Sequence, residues 1–225
     1  MLSSASRLLL RRSLGPSPLA SRSSSTYYSR PLLSHLLSSC PRLLPPADPE
    51  AYEPLLDTAD KFTADHGHLD AILDAEEPTF HPPAASSPAG VRLSPSCHSL
   101  VSSYIAAGFH CMDVSLSLPH AVSTAVSAAT MSAFTGGALG HSVLTSCAAL
   151  LLDVHGSAEL KERYHAKLVS GEYLGTMALS EPAAGSSLAT NVRTSAVARP
   201  DGAYDITGDK MWTSGADHDL GEHTE

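Results

Sequence analysis

Gly175-Thr176-Met177-Ala178-Leu179-Ser180-Glu181-Pro182-Ala183-Ala184-Gly185-Ser186-Ser187 carries an apolar extended segment into a loop dense in small residues. A loop of this composition lets backbone N–H groups approach a planar or anionic ligand closely. Ser180 and Ser186 add hydroxyls that donate or accept hydrogen bonds. The stretch also marks a change of character, since the chain reads as helical before Glu172 and as strand-like after it. Tyr173 to Ser180 is expected as a strand and residues 181–190 as a loop. Val192 to Ala198 is expected as a second strand, turned by Pro200-Asp201-Gly202. Tyr204 to Thr207 and Lys210 to Ser214 are expected to form a hairpin across Gly208-Asp209.

Upstream of this stretch the periodicity is helical. Asp48-Pro49-Glu50 reads as a helix start, with a cap, a proline suited to the first turn and an acid at the positive end of the dipole. Tyr52, Leu55, Ala59, Phe62 and His66 then recur at spacings of three and four. Residues 78–95 are rich in Pro, Ser and Ala and read as a long loop. A helix is expected from Ser96 to Ala107, ended by Gly108. Two Ala- and Ser-rich helices follow at 119–133 and 141–155, parted by Gly136-Gly137. Gly156-Ser157 makes a stop and a new cap, and a short charged helix over 159–164 runs toward Gly171. The fold class expected is α+β: a helical domain over 48–171, then the first strands of an antiparallel β domain over 172–225. So short a β domain leaves open edges and an uncovered face, so the chain is expected to be a fragment.

Composition narrows the function. Of 225 residues 43% are hydrophobic, enough for a packed core. The net charge of −9, with no basic stripe beyond the N-terminus, argues against a nucleic-acid role. No apolar run is long enough for a membrane span. The charge is uneven. Arg7, Arg11, Arg12, Arg22, Arg30 and Arg42 fall within residues 1–47, which hold no acid, so all 23 acidic residues lie beyond them. This Arg- and Ser-rich, acid-free segment reads as an organelle transit peptide, mitochondrial in the first instance and chloroplast as the alternative. Cys40, Cys97, Cys111 and Cys147 form no CxxC pair and are expected as buried thiols in a reducing compartment. Asp217, His218, Asp219 and His223 lack a spacing that converges on a metal, and their run is expected as a solvated acidic loop.

The residues from Ala178 to Ser186 resemble the first signature of the acyl-CoA dehydrogenase family, small–aliphatic–Ser/Thr–Glu–Pro–x–x–Gly–Ser–Asp. Ser187 stands where that signature has Asp, and Thr190 where a smaller residue is usual. Downstream, Gly208-Asp209-Lys210-Met211-Trp212-Thr213-Ser214 is similar to the family's Gly-x-Lys-x-Trp/Phe-Ile-Thr/Ser strand. Gly215 to Glu222 resembles a run of the 3-methylmercaptopropionyl-CoA dehydrogenase-like branch, with Asp217 in place of the usual Glu. Between 155 and 220 the likeness is dense. It is looser over 50–154 and absent from the leader.

The resemblance implies FAD as cofactor and an acyl-CoA thioester as substrate. It implies that Met177, Leu179 and Ser180 contact the flavin ring, that Trp212 packs beside it with Thr213, and that Ser214 donates near flavin N5. Ser186 would touch the pantetheine arm. Glu181 would be structural, and the base that takes the α-proton would lie in a C-terminal helical bundle outside this chain. The reaction implied is α,β-dehydrogenation, with an electron-transfer flavoprotein as acceptor, a homo-oligomer when full length, and no nucleic acid or membrane span. Two alternatives accompany it: a non-catalytic relative acting as an interaction fragment, and an acyl-CoA oxidase-type flavoprotein.

Overall fold

A computed structural model of the chain describes residues 24–39, 49–83, 90–115, 118–134 and 137–221. The expected cap Asp48, Cys40, Gly136 and His223 lie outside the described residues, as does most of the basic leader. In chain order the helices are α1 Ser24–Ser39, α2 Glu53–His66, α3 Leu69–Ala75, α4 Pro95–Ala106, α5 Met112–Ser115, α6 His120–Met131, α7 Gly140–His155, α8 Ala158–Leu160, α9 Ala166–Ser170 and α10 Leu188–Asn191. The strands are β1 Thr79–His81, β2 Gly90–Arg92, β3 Ser195–Ala198 and β4 Tyr204–Thr207. Helices make up most of the described residues, with one small antiparallel hairpin at 79–92 and another at 195–207, so the α+β class stands. The chain divides into two compact units, one formed by residues up to Ala75 with 118–136, the other by 76–117 with 137–225.

The first unit is helical and packs around α6. Val122, Ser123, Ala125, Val126, Ala129 and Thr130 are buried, a broad face of small side chains against which α1 and α2 lie. Small residues on one partner let helix axes approach closely. From α2 come Leu56, Ala59, Phe62 and Thr63: Ala59 and Phe62 belong to the expected stripe, but Leu56 and Thr63 are buried where Tyr52, Leu55 and His66 of that stripe are only half-buried. Thr63 Oγ1 donates to the Ala129 carbonyl at 3.1 Å, and Phe62 meets Phe134 edge-on at 6.2 Å. The start of α2 differs from expectation. Pro49–Tyr52 forms a 3₁₀ turn, and the α-helix begins at Glu53 with Pro54 in its first turn. Pro54 has no N–H to donate back to Glu50, so a helix begun at Pro49 cannot run through it. The expected leader also contains α1, whose Leu33 is buried.

The second unit is built on α7, with a core where Cys111, Ala149 and Leu168 meet, joined by Val114, Leu152, Val169 and Tyr173. Ser94 caps α4, its hydroxyl accepting from Cys97 N at 3.2 Å, and Gly108 ends the helix region at φ +79°. Ser157 caps the next helical run in the same way, from Leu160 N. That run is interrupted by a π-helical turn at Lys161–His165 and closes at Gly171, φ +78°. His110 is buried between elements: Nε2 donates to the Leu168 carbonyl at 2.9 Å, while Nδ1 meets Ser142 Oγ at 2.9 Å. Because a carbonyl only accepts, Nε2 carries the proton and Nδ1 takes the serine hydrogen. This neutral imidazole agrees with burial, which lowers the His110 pKa.

Three strand expectations are corrected. Residues 78–95, read as loop, contain a hairpin in which Thr79 pairs with Arg92, Phe80 with Val91 and His81 with Gly90. Its strands are three residues long, so the prolines at 78 and 82 flank β1 rather than break it. β3 and β4 pair across Pro200-Asp201-Gly202 as expected, with Ala196 opposite Ile206. Lys210 to Ser214, however, adds no strand to β4, and Tyr173 to Ser180 is extended without a ladder of its own. The two segments run beside each other instead, Met211 N donating to the Ser180 carbonyl at 3.0 Å. Cysteine burial is corrected as well: Cys97 and Cys111 are buried, whereas Cys147 is exposed on α7.

Truncating a fully buried side chain removes its transfer free energy and leaves a cavity. Leu56→Ala is expected to destabilise the first unit by about 2–5 kcal/mol, measured as a lowered midpoint in urea unfolding.

Candidate functional site

Extended segment 173–180 is fixed at its beginning by the helices beneath it. Lys167 Nζ donates to the Tyr173 hydroxyl at 2.9 Å, sits 4.4 Å over its ring and pairs with Glu172 at 3.1 Å. Gly175 N donates to Thr145 Oγ1 of α7 at 2.9 Å. A Cβ at residue 175 would lie 2.7 Å from the Ala148 Cβ, so only glycine lets the segment sit this close to α7. Further along, the Thr176 hydroxyl donates to the Ser214 carbonyl. With the Met211–Ser180 bond, this ties both motif segments together at two places.

Glu181 locks the arrangement. Its carboxylate is buried and accepts from Arg193 N at 2.7 Å, Thr194 N at 3.0 Å, Thr194 Oγ1 at 2.5 Å and Lys210 Nζ at 2.8 Å. Lys210 also donates to the Leu179 carbonyl at 3.1 Å, so one ammonium joins both segments. A Cβ on Gly208 would lie 2.2 Å from Thr194 Oγ1, which makes glycine necessary there. The Lys210 ammonium, then the Thr194 hydroxyl and the Arg193 N–H, hold the Glu181 pKa down to about 2. A carboxylate so acidic, with its oxygens already engaged, is a poor proton acceptor at neutral pH. The structural role expected for Glu181 follows from this geometry.

The candidate residues lie along this pair of segments. Met177 and Leu179, two apart and so on one side of an extended chain, are each 44% exposed. Trp212 is 83% exposed and has φ +59°, a left-handed conformation uncommon for so bulky a residue. Ser180 and Thr213 are half-buried, and Ser214 is exposed. Ser186 is exposed on the loop beyond, apart from the paired segments. The two joined segments thus carry three large apolar side chains open to solvent and the hydroxyls of Ser180, Thr213 and Ser214. On the loop after Glu181 a polar pocket is lined by Ala183, Thr190, Asn191, Val192 and Arg193.

The run after Ser214 is not a solvated loop. His218 is buried and meets His141 edge-on at 4.9 Å. Asp217 Oδ1 accepts from Val91 N at 3.1 Å. Asp219 Oδ1 accepts from Leu93 N at 2.9 Å, lies 3.0 Å from His98 Nε2, and Oδ2 is 3.6 Å from Arg92. Burial opposes Asp219 ionisation, but the Leu93 N–H and His98 outweigh it and leave its pKa lowered. Desolvation, then His218, lowers the His141 pKa to about 4. Asp217 and Asp219 thereby clamp this run to β2, Leu93 and α4. The sequence offers little signal for this, because the partners lie 121 to 126 residues apart.

No protein-family model matches the chain. Over 81 residues it is 43% identical to the 3-methylmercaptopropionyl-CoA dehydrogenase of Ruegeria pomeroyi, a match covering 36% of this chain and 14% of that protein. It is 45% identical over 58 residues to the mitochondrial isovaleryl-CoA dehydrogenase of Arabidopsis thaliana, covering 26% of this chain and 14% of the relative. Among solved structures, Caenorhabditis elegans ACDH-11 in complex with C11-CoA superposes with a TM-score of 0.60 over 85% of this chain and 34% of that one, at 20% identity. At that identity the superposition speaks to fold. Over part of its length, this chain is similar in sequence to several acyl-CoA dehydrogenases. Its matches span only a small share of the curated relatives.

The Glu181 network makes a pH-dependent prediction. A folded pKa of about 2 against an ordinary 4.5 stabilises the fold above roughly pH 4.5, and that stabilisation is lost as pH falls toward 2. Glu181→Gln is therefore expected to melt below the parent at neutral pH, with the gap closing between about pH 4.5 and 2 in thermal unfolding followed by circular dichroism.

Proposed function

We propose that this chain supplies one wall of the flavin site of an FAD-dependent acyl-CoA dehydrogenase of the mitochondrial matrix. The observation that carries this is the joining of the two signature segments, through Met211 N to the Ser180 carbonyl and Thr176 to the Ser214 carbonyl, beneath exposed Met177, Leu179 and Trp212. The residues fit the cofactor: three large apolar side chains stand in the open where a planar ring system would cover them. Ser180, Thr213 and Ser214 supply hydroxyls for its polar edge, and Ser186 would reach the acyl-CoA thioester. FAD, when bound, supplies the hydride acceptor for α,β-oxidation of the thioester. The chain's own part is to bind, orient and shield: Trp212, Met177 and Leu179 exclude water from one face, and the Ser214 hydroxyl donates where negative charge builds. Glu181 holds the wall and takes no proton, so the base belongs to another element of the working enzyme. An electron-transfer flavoprotein as electron acceptor and a homo-oligomer as working form complete the proposal.

One observation favours a second reading, a non-catalytic relative that acts through contacts with a partner. Both faces of the β3–β4 hairpin are open, with Ile206 74% and Val197 64% exposed. The two readings part on flavin.

The purified chain is expected to bind FAD in a fluorescence-quenching titration and to carry visible flavin absorbance. Trp212→Ala should weaken binding roughly three- to tenfold, the worth of one aromatic stacking contact. Ser214→Ala should weaken it about fivefold, the worth of one hydrogen bond. A colourless protein that takes up no FAD sinks the flavin reading and leaves the second.

A further inference from the structure

Three acids on α2 point to a cation that the first unit must keep. Glu53, Asp57 and Asp60 are spaced by four and three residues, so they share one face of the helix. Like charges at this spacing repel, and a counter-charge relieves the repulsion. That charge is Arg30 of α1. Its Nε meets Glu53 Oε2 at 2.9 Å, Nη1 meets Asp60 Oδ2 at 2.5 Å, and Nη2 bonds Asp57 Oδ1. The fork geometry suits arginine and would not suit lysine. Asp60 first, and Glu53 after it, raise the Arg30 pKa against the opposing effect of burial. One turn along α1, Leu33 is 3% exposed, and the helix packs on α6 and α2.

Arg30 and Leu33 nevertheless lie within the acid-free segment whose composition reads as a transit peptide. Cleavage at the end of that segment would strip the cation from three carboxylates and uncover the face of α6. We infer that the basic N-terminal segment is removed by a processing protease upstream of Ser24, and that α1 remains in the mature protein as a structural helix. The step is hydrolysis of one backbone amide, water giving its hydroxyl to the new carboxyl end and its proton to the new amino end. Four arginines, Arg7, Arg11, Arg12 and Arg22, precede Ser24 and suffice for a basic leader. The inference rests on the mitochondrial reading, and its tests separate the two.

The full-length chain, imported into isolated mitochondria and recovered, is expected to carry a new N-terminus at or before Ser24. A new N-terminus at Arg30 or beyond overturns the inference, as does an imported chain left uncut. A chain that stays outside sinks the location reading and the processing step with it. The retained helix is tested without import, by thermolysin digestion of the full-length chain. Cleavage around Leu32 and Leu33 should be at least about tenfold slower in the native chain than in the same chain unfolded in urea, because the buried site must first open. Arg30→Gln should reduce that protection severalfold, and adding Asp57→Asn with Asp60→Asn should restore part of it. Equal cleavage of the native and the unfolded parent chain, or protection unchanged by Arg30→Gln, overturns the inference.

Discussion

A buried carboxylate is costly unless its oxygens are met by donors, and one that is met becomes a rigid joint. Glu181 is such a joint. It gathers two backbone N–H groups, a hydroxyl and an ammonium from segments 12 to 29 residues away. The loop after Ser180, the start of β3 and the approach to Trp212 are all fixed through it. Neither motif segment belongs to a regular ladder, so side-chain and isolated backbone bonds do what a sheet would otherwise do. The wall therefore stands or falls with a few charged and polar contacts more than with burial of its own surface.

The helical scaffold works on the opposite economy. In α6 and α7 the buried positions are Ala, Val, Ser and Thr, which bury little area each but let neighbouring segments come very near. Thr145 and Ala148 bring the backbone of Gly175 against α7, and this close approach positions the first motif segment. Polar groups on these faces are satisfied internally. Thr130 and Thr145 donate to carbonyls of their own helices, and Ser142 is paired with His110. A core built this way gains less from hydrophobic burial and depends more on correct pairing.

Local signals in the sequence were the readable ones. Caps at Ser157, breaks at Gly108 and Gly171, part of the three-and-four stripe of α2 and the Pro200-Asp201-Gly202 turn each depend on neighbours within a few residues. The candidate site was legible because two motifs with defined spacing carried it. What escaped depends on distant partners. The clamp of Asp217 and Asp219 on β2 looked like an exposed acidic loop because its donors lie more than a hundred residues upstream. The hairpin over Lys210 to Ser214 was expected from alternation and a Gly-Asp turn. It lost to Glu181, Leu179 and Ser180, which draw the chain the other way. Helix α1 was hidden by composition, since a basic, Ser-rich segment gives no hint that its arginine has three carboxylates waiting.

The π-helical turn at Lys161–His165 has a consequence for how this scaffold tolerates change in length. A single-turn π-bulge holds one residue more than an α-helix needs over the same rise. Each residue added to or removed from a helix rotates everything after it by roughly 100°. The extra residue therefore sets the rotational phase of α9, and with it the direction of the Leu168 carbonyl that receives His110 and the start of the segment leading to Tyr173. Loss of one residue from this turn would give a smoother helix and a mis-phased one. Irregularity in the backbone here is the means by which two well-packed parts of the unit are kept in step.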